Sequence, residues 1–275
     1  LFSLHLVYWL KVNFDMKKRT AFIGAMLSLL PLGQPLFIKT GMVLSTVGMI
    51  YHSEKVNAKS FEFYFDRAFR KGEEGDYYGA ISDFTKAIEI NPKNAQAYYN
   101  RGWNKGNLKD YYGEISDYTQ AIEINPQYET AYYNRGIAKK QLEDYYGAIS
   151  DYTKAIEINP QYVNAFYNRG NAKEEIKDYY GAISDYTKAI EINPKFTKAY
   201  NNISYIKRLT KVNDNYGAIF YATKAIEIDP NYALPYLNRG VAKENIGDIK
   251  GACDDWRKAS SLGNKDTLKW VREEC

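Results

Sequence analysis

Beyond Phe61 the chain alternates between two kinds of segment with helical spacing. In Ala131–Gln141 (AYYNRGIAKKQ), Tyr132, Arg135, Gly136 and Lys139 recur at i, i+3, i+4 and i+7, which places them on one face of a helix. Asp144 opens a second segment in which Tyr145, Ala148, Ile149, Tyr152, Ala155 and Ile156 again fall three or four apart. Asn159-Pro160 ends it, because proline has no amide hydrogen and disfavours the α conformation of the residue before it. Neither helix can bury its apolar face alone. Stacking successive pairs supplies the missing surface and makes the core continuous along the array.

The pair of segments is written six times. Ala-Ile-Glu-Ile-Asn-Pro occurs at Ala87–Pro92, Ala121–Pro126, Ala155–Pro160 and Ala189–Pro194, and as Ala225–Pro230 with Asp229 replacing Asn. The first four prolines are spaced 34 apart and the last interval is 36; the sixth unit ends without proline, at Ser260-Ser261-Leu262-Gly263. A period in this range marks a helical-repeat architecture.

The repeated residues closely resemble the tetratricopeptide repeat (TPR) family. Its succession of aromatic, small residue, alanine, aromatic, alanine and proline falls on Tyr132, Gly136, Ala148, Tyr152, Ala155 and Pro160, and next on Phe166, Gly170, Ala182, Tyr186, Ala189 and Pro194. The preceding unit reads Tyr98, Gly102, Glu114, Tyr118, Ala121 and Pro126, with Glu114 in an alanine position. The resemblance implies an all-α fold: a right-handed α-solenoid of six antiparallel helix-turn-helix repeats at about 61–94, 95–128, 129–162, 163–196, 197–232 and 233–266, closed by a capping helix in 267–275.

Several positions depart from the family pattern. Arginine stands in place of its usual leucine at Arg67, Arg101, Arg135, Arg169 and Arg239, and each has an aspartate at a fixed offset in the next helix: Asp83, Asp117, Asp151, Asp185 and Asp255. An Arg–Asp ladder is expected, with each rung contributing modestly if exposed. Glycine recurs inside the second helix, at Gly79, Gly113, Gly147, Gly181, Gly217 and Gly251, and close packing between helices is the expected reason. The fifth unit is degenerate. Ile203-Ser204 replaces Arg-Gly, Ala222 replaces an aromatic, and two residues are added around Val212-Asn213-Asp214-Asn215, a turn-favouring run that lacks the end ligands of a calcium loop.

The tail, Gly251–Cys275, is similar to that of TPR proteins from marine cyanobacteria, and Thr267–Glu274 reads as a short amphipathic cap. Cys253 and Cys275 are the only cysteines. A cap antiparallel to the last repeat's second helix brings them together, giving a disulfide in an oxidising compartment; the alternative is two independent thiols.

Charge divides the chain. The first 58 residues hold six basic and two acidic side chains, and the remainder holds 31 of each. A formally neutral body argues against nucleic-acid binding, which depends on neutralising phosphates. Met16-Lys17-Lys18-Arg19 resembles a start with a basic leader, followed by apolar stretches at 21–33 and 36–51 and a signal-peptidase-like Val56-Asn57-Ala58. Residues 1–58 therefore read as a signal peptide cleaved after Ala58, or as a retained anchor with membrane association through residues 20–51. Either delivers the repeats outside the cytoplasm, to a periplasm or thylakoid lumen. Both histidines, His5 and His52, lie in this leader. The body consequently lacks the means for Ser-His-Asp, Cys-His or His-containing zinc chemistry, and no phosphate loop or nucleophile elbow is present. Glu174-Glu175 reads as a solvated helix face. No enzyme activity, cofactor or metal is expected.

The resemblance implies a ligand groove lined by the second, fifth, sixth and ninth positions of each first helix. Here these include Tyr99, Asn100, Trp103, Tyr133, Asn134, Ile137, Tyr167, Asn168, Asn171, Asn202, Tyr205 and Asn238. Tyrosine supplies rigid contact area and asparagine can bond an extended peptide backbone. The expected partner is a protein or peptide segment, in assembly of an envelope or thylakoid complex. A glycan or cell-wall ligand on the tyrosine-rich face is the alternative. The family's carboxylate clamp for chaperone C-termini needs lysine where Tyr167 accompanies Asn171, so that partner is not expected.

Overall fold

The computed structural model describes residues 60–209 and 214–275. The leader, cleavage and membrane readings of residues 1–58 fall outside the described residues, as do the first two positions of the Val212–Asn215 run. Among the described residues there are thirteen α-helices and no strand. They are α1 (Phe61–Glu73), α2 (Tyr77–Ile90), α3 (Ala95–Asn107), α4 (Tyr111–Ile124), α5 (Glu129–Gln141), α6 (Tyr145–Ile158) and α7 (Val163–Glu175). There follow α8 (Tyr179–Ile192), α9 (Thr197–Leu209), α10 (Asn215–Ile228), α11 (Ala233–Asn245), α12 (Ile249–Ser261) and α13 (Thr267–Glu273). Each helix packs on the next along the chain, and first helices also touch across units, as α1 with α3 and α9 with α11. The result is an all-α repeat solenoid. No described helix is long and apolar enough to cross a membrane.

Local chemistry sets the helix boundaries. Asp76, Asp110, Asp144, Asp178, Asp214 and Asp248 cap the second helices, each carboxylate accepting the N–H of the glycine three residues on. This corrects the reason for those glycines. A Cβ on Gly147 would lie 2.0 Å from Asp144 Oδ2 and would meet no other helix first. They make room for an N-cap, which is worth about 1 kcal/mol and offsets the helix propensity that glycine forfeits. At the other end, Asn159 Oδ1 accepts the N–H of Gln161 at 3.1 Å, so Asn-Pro both stops one helix and starts the turn to the next.

Close helix packing belongs to a different glycine. A Cβ on Gly136 would lie 2.7 Å from Tyr152 Cε1, and one on Gly170 would lie 2.6 Å from Tyr186 Cε1. These first-helix glycines let the buried aromatic of the second helix lie flat against them. The fifth unit makes the reciprocal change: Ser204, fully buried, replaces glycine where Ala222 replaces the aromatic, and its hydroxyl donates to the Ala218 carbonyl at 2.8 Å. Ile203 stands in the arginine position and Tyr221 in the aspartate position, so both halves of the polar rung are lost together. The Asn-Asp-Asn run likewise has a local role, since Asp214 caps α10 and pairs with Lys207 at 2.6 Å.

The Arg–Asp ladder forms, but it is not exposed. Arg135 Nε donates to Asp151 Oδ2 at 2.9 Å and Nη2 donates to Oδ1 at 2.6 Å. Lys139 lies 2.8 Å from the same carboxylate, and Arg135 Nη1 donates to Thr119 Oγ1 of the preceding unit at 3.0 Å. The set recurs at Arg101, Arg169 and Arg239. Asp83, Asp117, Asp151, Asp185 and Asp255 are only 1–4% exposed. A buried carboxylate held by a bidentate guanidinium is far more costly to orphan than a surface ion pair.

At the C-terminus α13 covers α12. Trp270 packs on Trp256 with ring centroids 5.3 Å apart, and Cys253 and Cys275 form a disulfide with Cα atoms 5.6 Å apart.

Candidate functional site

The fifth and sixth positions of successive first helices meet. Asn134 Nδ2 donates to the Tyr99 hydroxyl at 2.7 Å, and Asn168 Nδ2 donates to the Tyr133 hydroxyl at 2.7 Å. Asn202 Nδ2 donates to Asn171 Oδ1 at 3.2 Å and more distantly to the Tyr167 hydroxyl at 3.4 Å. Asn238 Nδ2 continues the series by donating to Asn201 Oδ1 at 2.9 Å. Tyrosine and asparagine therefore form one spine of rungs crossing every repeat boundary from α3 to α11. The rings are held from the other side as well: Tyr99 packs tilted against Tyr128 and Tyr133 against Tyr162, and Tyr167 meets Phe196 edge-on, with centroids 4.8–5.0 Å apart.

This changes what the asparagines offer. The side-chain amides of Asn134, Asn168, Asn202 and Asn238 each donate within the solenoid, and Asn238 is buried. The most exposed groove position is Trp103, in the ninth-position set. Trp103 is 44% exposed, Ile137 and Asn171 are half-buried, and the Tyr205 ring lies 5.0 Å under the Arg208 guanidinium. Arg208 was not singled out by spacing. It donates to Asn238 Oδ1 at 3.2 Å and has no carboxylate partner among the described residues. Burial pulls its pKa down.

Burial also shifts the groove's acids and phenols. It pushes the Glu114 carboxyl up to about 7, with the Tyr118 hydroxyl pulling it partly back. A Cβ on Gly106 would lie 2.6 Å from the Glu114 carboxylate, so that glycine makes the room. Glu174 is the mirror case, projecting from the first helix. It accepts from the Tyr186 hydroxyl at 2.9 Å, and burial raises its pKa. Of the pair Glu174-Glu175, only Glu175 is the solvated residue expected. Burial likewise raises Tyr99, Tyr133 and Tyr167.

The most exposed tyrosines lie elsewhere. Tyr78, Tyr112, Tyr146, Tyr180 and Tyr216 occupy the second position of the second helix in the first five units and are 71–78% exposed. A Tyr-Tyr-Gly motif signals the first four and Asn-Tyr-Gly the fifth, but spacing alone does not say which tyrosine of each pair faces out.

Sequence profiles of the tetratricopeptide repeat match residues 95–128, 130–162 and 163–196, and a TPR repeat profile matches residues 73–106. Residues 73–196 therefore match tetratricopeptide repeats. Among solved structures it is similar to MamA, with 26% identity and a TM-score of 0.57 over 59% of this chain and 94% of that one. It is also similar to YrrB, described as a TPR protein with an unusual peptide-binding site, at 22% identity and a TM-score of 0.60 over 69% of this chain and 97% of that one. PilF of Pseudomonas aeruginosa shares the fold at 16% identity and a TM-score of 0.63, over 78% and 97% of the two chains. No curated protein matches in sequence.

Proposed function

We propose that the TPR array is a non-catalytic scaffold that holds a protein or peptide segment against the first-helix face. The Tyr–Asn spine carries this reading. It fixes rigid aromatic rings in register at successive repeats, with exposed Trp103 and half-buried Ile137, Asn171 and Tyr205 beside them. Such a surface loses little side-chain entropy on binding, which favours tight capture of an extended segment. The likeness to YrrB, whose description names a peptide-binding site, agrees with it. The neutral body favours a protein over a nucleic acid. Export fits the Cys253–Cys275 disulfide, which persists in oxidising compartments, and the basic, apolar leader. A role in assembling an envelope or thylakoid complex follows from that location and rests on the resemblance of the tail. Co-purification from cells making the full-length protein tests the reading. A partner held by the wild type should be lost with Trp103→Glu and Ile137→Glu but retained with Ser150→Glu on the exposed side of α6. Equal retention by all three would overturn it.

A second reading is favoured by one observation, the row of five exposed tyrosines repeating with the solenoid. Evenly spaced aromatic platforms suit a polymer with a repeating unit, such as a cell-wall glycan. Sedimentation with peptidoglycan that is abolished by Tyr146→Ala with Tyr180→Ala, and unaffected by Ile137→Glu, would favour this ligand.

A further inference from the structure

The first unit breaks the spine in an informative way. Phe65 and Phe84 stand where later units carry Tyr99 with Tyr118, Tyr133 with Tyr152, and Tyr167 with Tyr186. Phenylalanine has no hydroxyl, and the consequences appear on its neighbours. Asn100 Nδ2, the counterpart of the Asn134 and Asn168 donors, is buried without a hydrogen-bond partner in the protein. So is Asn104 Oδ1, on a residue only 2% exposed. The Asn104 amide is oriented by its own Nδ2, which donates to the Asn100 carbonyl at 2.7 Å. Gly72 makes the room, since a Cβ there would lie 2.9 Å from Asn104 Oδ1.

Both asparagines line a cleft of about 280 Å³ between the first two repeats, walled by Phe69, Phe84 and Trp103 with Glu73 alongside. One unpaired donor and one unpaired acceptor beside an apolar cleft are best matched by a group that both accepts and donates, because leaving either buried group unmatched costs about 1–3 kcal/mol. The rest of the chain shows which group does this. Tyrosine hydroxyls accept from Asn134 and Asn168, and the single Tyr186 hydroxyl hydrogen is shared between Asn171 Oδ1 at 2.7 Å and Glu174 Oε2 at 2.9 Å.

We propose that this cleft is the specificity pocket of the groove and takes the phenol side chain of a tyrosine in the bound segment. The hydroxyl accepts from Asn100 Nδ2 and donates to Asn104 Oδ1, while the ring packs in offset or edge contact with Phe69, Phe84 and Trp103. The partner's tyrosine thus completes the rung that Phe65 leaves open. Phenylalanine would fill the cleft and leave both amide groups unpaired. Lysine lacks an acceptor. Glutamate lacks a donor and meets the like charge of Glu73. The proposal rests on the groove reading above and adds to it the identity of one side chain.

Panning a phage-displayed library of random linear peptides on the full chain tests it, followed by titration of the selected peptide and its Tyr→Phe analogue. The expected consensus has tyrosine at one fixed position, and the analogue binds at least about tenfold more weakly, the factor that corresponds to one matched hydrogen bond. Phe65→Tyr, which supplies Asn100 with a partner from inside, should cut that Tyr-over-Phe ratio to about threefold or less. Asn104→Leu should do the same. A consensus lacking tyrosine, one built on glutamine included, or equal binding of tyrosine and phenylalanine peptides overturns the pocket and leaves the groove reading standing. If the helical, folded protein selects no peptide at all, both fail.

Discussion

Replacing Phe65 by tyrosine should stabilise the first two repeats. The ring centroid is close to the right place: Phe65 lies 5.5 Å from Phe84, against 5.4 Å for Tyr99 to Tyr118 and 5.6 Å for Tyr167 to Tyr186, although it meets its partner edge-on at 77° where those rings are tilted at 36° and 44° and must turn to match them. A para hydroxyl added there should reach Asn100 Nδ2 as the Tyr99 hydroxyl reaches Asn134. A new buried hydrogen bond contributes about 1 kcal/mol net, and satisfying a donor already desolvated raises the gain toward about 2 kcal/mol. Because a repeat array opens locally, native-state hydrogen exchange of amides in α1, α2 and α3 is the suitable assay. Protection there should rise by about fivefold to thirtyfold, corresponding to 1–2 kcal/mol, with amides of α11 and α12 unchanged. The control is Phe65→Tyr in an Asn100→Leu background, where the hydroxyl has no partner and the gain should vanish. No added protection in Phe65→Tyr, or the same gain without Asn100, would refute the reasoning.

Other consequences follow from the same geometry. Asp151→Ala should lower the stability of the third repeat by about 3 kcal/mol by leaving the half-buried Arg135 and Lys139 without their shared carboxylate, and Asp185→Ala should do so one repeat along; a loss below about 1 kcal/mol in chemical denaturation would show that the rungs act as surface pairs. Lys109, Glu143 and Lys177 have φ of 61–64° where the first and sixth units use Gly75 and Gly247 at 84–85°. Glu143→Gly should therefore stabilise by about 0.5–1 kcal/mol in the same experiment. Glu114 has a raised folded pKa of about 7, so its contribution is present below its unfolded value and lost as pH rises to neutrality and beyond. Stability should fall by about 1–2 kcal/mol between roughly pH 4.5 and 7.5, and Glu114→Gln should flatten that slope in pH-dependent melts. Reducing Cys253–Cys275, or making Cys275→Ser, should destabilise the last unit by about 3 kcal/mol, read as lost protection in α12.

The solenoid was legible because its evidence is periodic. Helical spacing, the Asn-Pro stops and a 34-residue repeat allow few other architectures, and Arg135 with Asp151 stood out through a sixteen-residue offset copied in five units. What was illegible depends on direction and depth. Spacing could not say that Asp151 is buried, so the rung was undervalued. Nor could it separate the two glycine series: Gly147 serves a carboxylate three residues away, whereas Gly136 faces a ring on the neighbouring helix. The groove was harder still, since Tyr99 and Asn134 lie 35 residues apart and meet across a repeat boundary. In a chain that repeats every 34 residues, each polar residue has a candidate partner at many offsets, and only the packing of α3 on its neighbours selects one. Phe65 takes the place of Tyr99 in the first unit, but its meaning appears only when the unpaired Asn100 is seen beside it.

The central claim, that the first-helix face holds a protein segment, is tested most directly by a photo-crosslinking amino acid placed singly along the full-length protein in its native cells. Inserted at Trp103, Ile137 or Tyr205, it should yield covalent adducts whose peptides map to one contiguous segment of a partner, while insertion at Ser116 or Ser150 on the exposed side of the second helices should yield none. Adducts that form equally from both faces, or from Ser116 and Ser150 alone, would contradict the account.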